Sequence, residues 1–247
     1  MQLKGKVAIV TGGGSGIGRA IGVGLAGEGA SVVVADIDSN SADAVAAELE
    51  ELGSYALAAT VDVSKSDQVD ALVEAAVERF GRLDILINNA GRAARGFVSE
   101  MPDEAWDSVI SVNLRGTFLC SRAALQHMIP QRSGRIINTA SGLGIRGSPG
   151  GAVYGASKAA IINFTKSLAQ EVARYGITVN AIAPGVTDTP LWRGFRSDAD
   201  IVEALESGRV GAPEDFVPLV IFLCSEAGGI HCGIMVDRDI YVSRGER

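Results

Sequence analysis

Short runs of consecutive apolar residues alternate along this chain with longer stretches in which apolar residues recur every three or four positions. Runs of the first kind read as strands buried on both faces, and stretches of the second kind as helices with one face in the core. Strands are expected at residues 6–10, 31–35, 55–61, 83–87, 135–139 and 177–182, with a short last one at 234–236. Helices are expected at about 16–29, with Ile17, Ile21 and Leu25 on one face, at 41–52, and at 66–80, where Gly81 supplies the usual stop. A long helix over about 103–128 is expected to end at Pro130. Another, from about 152 to 175, buries Ile161, Phe164, Leu168 and Val172. The segment from there to about residue 209 holds one strand and then reads as irregular, and residues 213–224 read as a last helix. Continuous apolar strands alternating with amphipathic helices predict an α/β fold, a doubly wound parallel sheet of about seven strands with helices on both faces. No linker, repeat or low-complexity stretch interrupts the pattern, so residues 1–247 are expected to form one domain.

Composition narrows the class without changing that picture. Hydrophobic residues make up 47% of the chain and charged residues 21%, enough to bury a full core. The net charge of −7 argues against nucleic acid or an anionic membrane as a partner. Cys120, Cys224 and Cys232 lack metal-ligand spacing and read as reduced, buried thiols. His127 and His231 stand alone, so no metal site is expected. No apolar run reaches 18 residues and the N-terminus lacks a signal-like stretch, which points to a cytoplasmic protein.

Two stretches carry candidate chemistry. Between the first strand and first helix lies TGGGSGIG, in which Gly12, Gly16 and Gly18 let backbone approach a pyrophosphate at the positive end of a helix. Asp36 closes the second strand, where a carboxylate accepts hydrogen bonds from ribose hydroxyls and repels a 2′-phosphate. Asp38 adds to that repulsion, and no Lys or Arg occurs at positions 12–15 or 36–38 to offset it. The expected cofactor is therefore NAD. The second stretch, SGLGIRGSPGGAVYGASK, places Ser141 across a glycine-rich loop from Tyr154 and Lys158. Four residues apart on a helix, the phenol and the ammonium share one face. A free phenol titrates near 10, and an adjacent positive charge favours the phenolate that a base must become.

These motifs resemble, nearly end to end, the short-chain dehydrogenase/reductase family. Thr11, Gly12, Gly16 and Gly18 match its T-G-x-x-x-G-x-G, and Asp62 its acid after the third strand. Asn88 to Gly91 match its N-N-A-G, Asn113 its helix asparagine, and Ser141 its serine. Tyr154 and Lys158 match its Y-x-x-x-K, and Pro184, Gly185 and Thr189 its P-G-x-x-x-T. The resemblance implies a Rossmann fold and a catalytic set of Asn113, Ser141, Tyr154 and Lys158, with Asn113 holding a water that relays protons from Lys158. It implies NAD contacts from Gly12, Ser15, Gly16, Ile17, Gly18, Asp36, Asp62, Val63, Asn89, Ala90, Gly91, Tyr154, Lys158, Pro184, Gly185, Thr187 and Thr189. It further implies a substrate lid at about residues 188–208, and a homotetramer or homodimer pairing through helices 103–128 and 152–175, with Cys120 near the contact. Ser15 stands where NADPH-using relatives often carry a basic residue, in keeping with NAD.

The chain departs from the family's V-D-G-G with Val236-Asp237-Arg238-Asp239, and has Cys232-Gly233 where Thr-Gly is usual, which bears on the subunit contact more than on chemistry. The implied activity is an NAD-dependent exchange of hydride between a secondary alcohol and a carbonyl. A 3-oxoacyl-thioester reductase using NADPH, and an NAD-binding sensor or scaffold without turnover, stand as alternatives. Arg92, Arg95, Arg193 and Arg196 flank the expected substrate mouth and read either as solvated loop charge or as the anchor of an acidic substrate. Arg146, in the loop before Tyr154, reads as a packing or surface residue.

Overall fold

Seven strands form one sheet: β1 (Val7–Thr11), β2 (Ser31–Asp36), β3 (Ala56–Thr60), β4 (Ile85–Asn88), β5 (Gly134–Thr139), β6 (Ile177–Ala183) and β7 (Met235–Asp237). The computed structural model describes residues 1–237, and the departure at Arg238-Asp239 lies outside them. All neighbours pair in parallel, in the order β3-β2-β1-β4-β5-β6-β7. The order reverses between β1 and β4, whose C-terminal ends therefore open a crevice where the connecting loops part to opposite faces.

Strand alternation builds two cores from the same apolar runs. Ile9, Val33, Leu86, Ile136 and Val179 point to one face, where α3 (Ser66–Phe80), α5 (Gly116–Gln131) and α7 (Ala152–Val172) cover them. Val10, Val32, Val34, Ile85, Ile87 and Ile182 point to the other, under α1 (Gly16–Gly27), α2 (Ser39–Glu51) and α10 (Val217–Cys224). This is why the strands inside the sheet carry no polar alternation, while the edge strand β3 is partly open to water.

The expected long helix is divided. α4 (Asp103–Ile110) passes through a π-helical turn at Ser111–Arg115 into α5. Nor does Pro130 stop it. The proline sits in the last turn without an amide to give, and the helix ends two residues later, when Arg132 turns left-handed (φ 52). The Arg132 and Ser133 amides then bond the carbonyls of Ile129 and Met128.

Other local differences have local causes. The loop after Ser141 contains α6 (Leu143–Arg146), and the stretch expected to be irregular contains α8 (Pro190–Arg193) and α9 (Asp198–Glu206). Thr189 caps α8 at the Trp192 amide, and Ser197 with Asp200 forms a reciprocal capping box for α9. Phe164 is only partly buried. Cys120 packs inside the core at 1% exposure, so it is not the surface contact residue expected of it. His231 and Cys232 precede β7 and face apart, the ring against Phe222 and the sulfur towards the Val179 amide.

Candidate active site

The crevice is closed at its base by a cross-brace between the loops after β1 and β4. Thr11 Oγ1 donates to the Ile87 carbonyl (3.2 Å) and accepts from the amides of Asn89 (3.1 Å) and Ala90 (3.2 Å). Asn89 Nδ2 donates back to the carbonyls of Thr11 (3.2 Å) and Gly12 (3.1 Å). The loops touch so closely that only glycine fits. A Cβ on Gly12, already left-handed at φ 62, would stand 2.9 Å from Ala90 Cα, and one on Gly18 would stand 2.0 Å from the Gly12 carbonyl oxygen. Bare backbone at the start of α1 is what a pyrophosphate requires, so the cradle fits a dinucleotide.

Two carboxylates mark the far end. Asp36 accepts from the Gly14 amide (2.9 Å) and the Asp38 amide (3.1 Å), which orients it over the glycine loop. The Asp38 carboxylate caps α2 through the Asn40 amide and the Ser41 hydroxyl. Burial works to raise the Asp62 carboxyl, but hydrogen bonds from Ser64, with the Lys65 and Arg92 charges, hold it below the usual carboxylate range.

From there a cavity of about 1230 Å³ runs to Tyr154 and on to α8, Phe195, Arg196 and the turn at residues 207–209, larger than the usual small-molecule site. Every residue expected at the cofactor lines it except Gly18. That glycine instead lets α1 begin against the end of β1.

Ser141, Tyr154 and Lys158 converge on the cavity's middle. The convergence depends on two glycines. A Cβ on Gly144 would stand 2.7 Å from the Ala159 nitrogen, and one on Gly155 would stand 3.0 Å from the Leu143 carbonyl oxygen. Without these side chains α6 lies flat on α7, which carries the Ser141 loop up to Tyr154. Ser141 Oγ accepts from the Leu143 amide (3.2 Å) and hydrogen-bonds the phenol. Lys158 is 3% exposed, with Nζ 2.7 Å from the Thr139 carbonyl oxygen and 5.5 Å from the centre of the Tyr154 ring.

Burial sets the charge states here. It pushes the Lys158 ammonium down from 10.5 to about 8. It also raises the Tyr154 phenol, outweighing the Ser141 hydrogen bond that pulls the other way. In the protein alone, then, Tyr154 is a proton donor and Lys158 a weakly held cation.

Asn113 does not line the cavity. It is fully buried in the π-turn, its amide oxygen accepting from the Arg92 amide (2.8 Å) and its Nδ2 donating to the Arg92 carbonyl (2.9 Å) and Ser157 Oγ (3.0 Å). A Cβ on Gly91 would be 3.5 Å from Asn113 Oδ1 and 3.7 Å from Lys158 Nζ, so both side chains reach the space beside Gly91.

The comparisons with known proteins agree with this geometry. The model of the short chain dehydrogenase family matches residues 6–200. The chain belongs to that family. As a short-chain dehydrogenase it is an oxidoreductase acting on an alcohol or carbonyl with a nicotinamide cofactor. It is 38% identical over 241 residues to a 3-oxoacyl-[acyl-carrier-protein] reductase of Thermotoga maritima, covering 97% of this chain and 98% of that one. Among solved structures it is similar to an NAD+-bound xylitol dehydrogenase, with TM-score 0.90, 32% identity and coverage of 96% and 98%. It is also similar to a 3-ketoacyl-(acyl-carrier-protein) reductase from Brucella melitensis complexed with NADH, with TM-score 0.89, 36% identity and the same coverage.

Several lining residues of this short-chain dehydrogenase escaped the sequence reading. Ile37, directly after Asp36, is 70% exposed and lines the cofactor end. Leu143, Val186 and Leu191 line the middle and the substrate end. No motif marks them. The four arginines separate: Arg92, Arg95 and Arg196 line the cavity, whereas Arg193 is held in a bidentate pair with Asp188 (2.6 and 2.8 Å) and faces a neighbouring hollow. Arg146 lines the cavity as well. Among the described residues, no group of three or more His, Cys, Asp or Glu side chains is gathered to hold a metal ion, and no helix is long and apolar enough to cross a membrane.

Proposed function

We propose that this protein interconverts a secondary alcohol and a carbonyl using NAD(H), with Tyr154 as general acid and base. The observation that carries the reading is the convergence of the Tyr154 phenol, Ser141 hydroxyl and Lys158 ammonium on a cavity that ends at Asp36. A nicotinamide held at this cavity would supply the hydride acceptor for the alcohol carbon and, when oxidised, a positive charge that favours phenolate. In the oxidising direction, Tyr154 Oη takes the hydroxyl proton as the C–H electron pair leaves with hydrogen, and the carbonyl forms. In reduction the raised phenol gives that proton back. Ser141 Oγ accepts the Leu143 amide, so its one hydrogen, given to the Tyr154 phenol in the protein alone, would turn to the substrate oxygen as charge develops there. Lys158 stabilises the phenolate and holds the nicotinamide ribose, and Asn113 keeps a water beside Lys158 through which protons reach solvent.

Support for NAD over NADP comes from Asp36, held over the glycine loop by two amides, and from Arg19, the first base on α1, which is engaged in a bidentate pair with Glu48. Support for a homotetramer or homodimer comes from Trp106 and Phe118, apolar rings about 44% and 43% exposed on α4 and α5. The acidic charge and the absence of a spanning helix among the described residues fit a cytoplasmic enzyme that forms one domain. The similarity to 3-oxoacyl-thioester reductases favours a second reading, reduction of an acyl thioester with NADPH. Comparing kcat/KM for NAD and NADP with alcohols, and for both reduced cofactors with 3-oxoacyl thioesters, separates the two. A sensor without turnover is excluded by any alcohol oxidation that Tyr154→Phe abolishes.

A further inference from the structure

The substrate end of the cavity is basic in a chain whose net charge is −7. Arg95, on the loop after β4, lies with its guanidinium carbon 5.8 Å from the centre of the Phe195 ring. Arg196, between α8 and α9, stacks on Trp192 at 4.4 Å and donates Nη1 to the Trp192 carbonyl (2.6 Å). Both line the cavity that holds Tyr154 and Ser141. Neither forms an ion pair among the described residues. Burial, and then the neighbouring Arg95 charge, hold the Arg196 guanidinium below its ordinary range, with Asp200 opposing.

Two like charges brought together on aromatic platforms, one of them partly buried, raise each other's energy unless an anion joins them. The planar fork of each guanidinium suits an oxyanion with two or three oxygens. Arg193 shows the contrast, since its fork is already filled by Asp188. Leu143, Val186 and Leu191 add apolar surface to the lining of the same cavity.

We propose that Arg95 and Arg196 together bind an oxyanion at the tail of the substrate, so that the preferred substrate is a secondary alcohol or ketone joined through a spacer to a carboxylate or phosphate. This rests on the oxidoreductase reading above and names the substrate class of the same site. The tail anchors at the two arginines while the carbinol meets Tyr154, and the spacer lies between them.

The test uses 3-hydroxybutyrate, 4-hydroxypentanoate and 5-hydroxyhexanoate, each beside its methyl ester, with NAD. A second pair, 3-hydroxybutyryl-CoA and the N-acetylcysteamine thioester of the same acid, differs in phosphate. Expected is a preference of about tenfold or more in kcat/KM for the charged member of one pair. Arg95→Ala and Arg196→Ala should erase it by raising KM, with kcat within about threefold and the melting temperature held, while Arg193→Ala keeps it. A preference within the acids assigns a small carboxylate, and one within the thioesters a carrier phosphate.

Turnover of the neutral members with neither preference nor sensitivity to the two variants overturns the proposal and leaves the oxidoreductase reading intact. If nothing turns over, that reading fails, and binding decides the inference. In the Trp106→Phe background, 4-oxopentanoate or coenzyme A should then quench Trp192 saturably with NADH present. Arg95→Ala should weaken the quenching about tenfold, and no saturable quenching by either probe would dispose of the clamp.

Discussion

The two ends of the catalytic cavity are built on opposite plans. At the chemical end, Ser141, Lys158 and Asn113 are buried, and each is tied to main chain: Ser141 to the Leu143 amide, Lys158 to the Thr139 carbonyl, Asn113 to both polar groups of Arg92 in the loop after β4. At the substrate end, Trp192, Phe195 and Arg196 stand on and between helices of four and nine residues, at partial or full exposure, held by ring contacts and local caps. A proton must move over tenths of an ångström, and that demands groups fixed by a packed interior. Recognition of a tail tolerates looser support. The comparison teaches that the proposed chemistry rests on packed elements, the end of β5, the π-turn and α7, and the proposed choice of substrate on the short helices at the other end.

The largest expected effect lies at the chemical end. Tyr154→Phe should lower kcat by about 10²–10⁴-fold while NADH affinity changes little, by fluorescence titration. Arg196→Ala should act mainly on KM. An equal fall in kcat from both variants would break the distinction between the two ends.

Lys158 offers a test of how far burial controls that end. Its folded value, about 8, lies below the ordinary 10.5, so between those pH values the unfolded chain binds more protons and stability rises with pH. Lys158→Met lacks this gain. The unfolding free energy of wild type relative to Lys158→Met should therefore climb from pH 7.5 to pH 10, by at most about 3 kcal/mol. A difference that stays flat with pH in urea titrations would mean that the ammonium is solvated.

Asn113→Ala should cost about 2 kcal/mol, because the Arg92 amide and carbonyl lose their partner inside the protein. It should also lower kcat about tenfold or more without altering the KM for NAD. Lost stability with unchanged kcat would make Asn113 a brace for the loop and nothing else. The smallest effect is at the cofactor's far end, where Asp36→Asn should narrow the ratio of kcat/KM for NAD over NADP by about tenfold. A ratio that does not move would transfer cofactor choice to other groups.

Much of the sheet was legible because each strand is apolar on both faces, and all seven appeared within a residue or two of their expected places. Tyr154 and Lys158 were legible too, since helical spacing alone puts them on one face. The π-turn at Ser111–Arg115 was not. The apolar positions there are compatible with an unbroken helix, and what sustains the extra residue is Asn113 bonding a distant loop. α9 had a local signal, Ser197 three residues before Asp200, which the reading passed over.

What the sequence determined by itself is what neighbouring residues decide among themselves. It specified strand and helix by period, the bare glycine loop by the absence of side chains, and the Tyr154–Lys158 pair by the helical repeat. Only the tertiary structure decided that Asn113 stands beside Gly91 instead of in the cavity, that Arg193 is taken by Asp188, and that Arg95 and Arg196 line one cavity. Those relations cross between elements remote in sequence. They depend on the sheet order and on glycine contacts such as Gly144 on α7, so no local pattern along the chain encodes them.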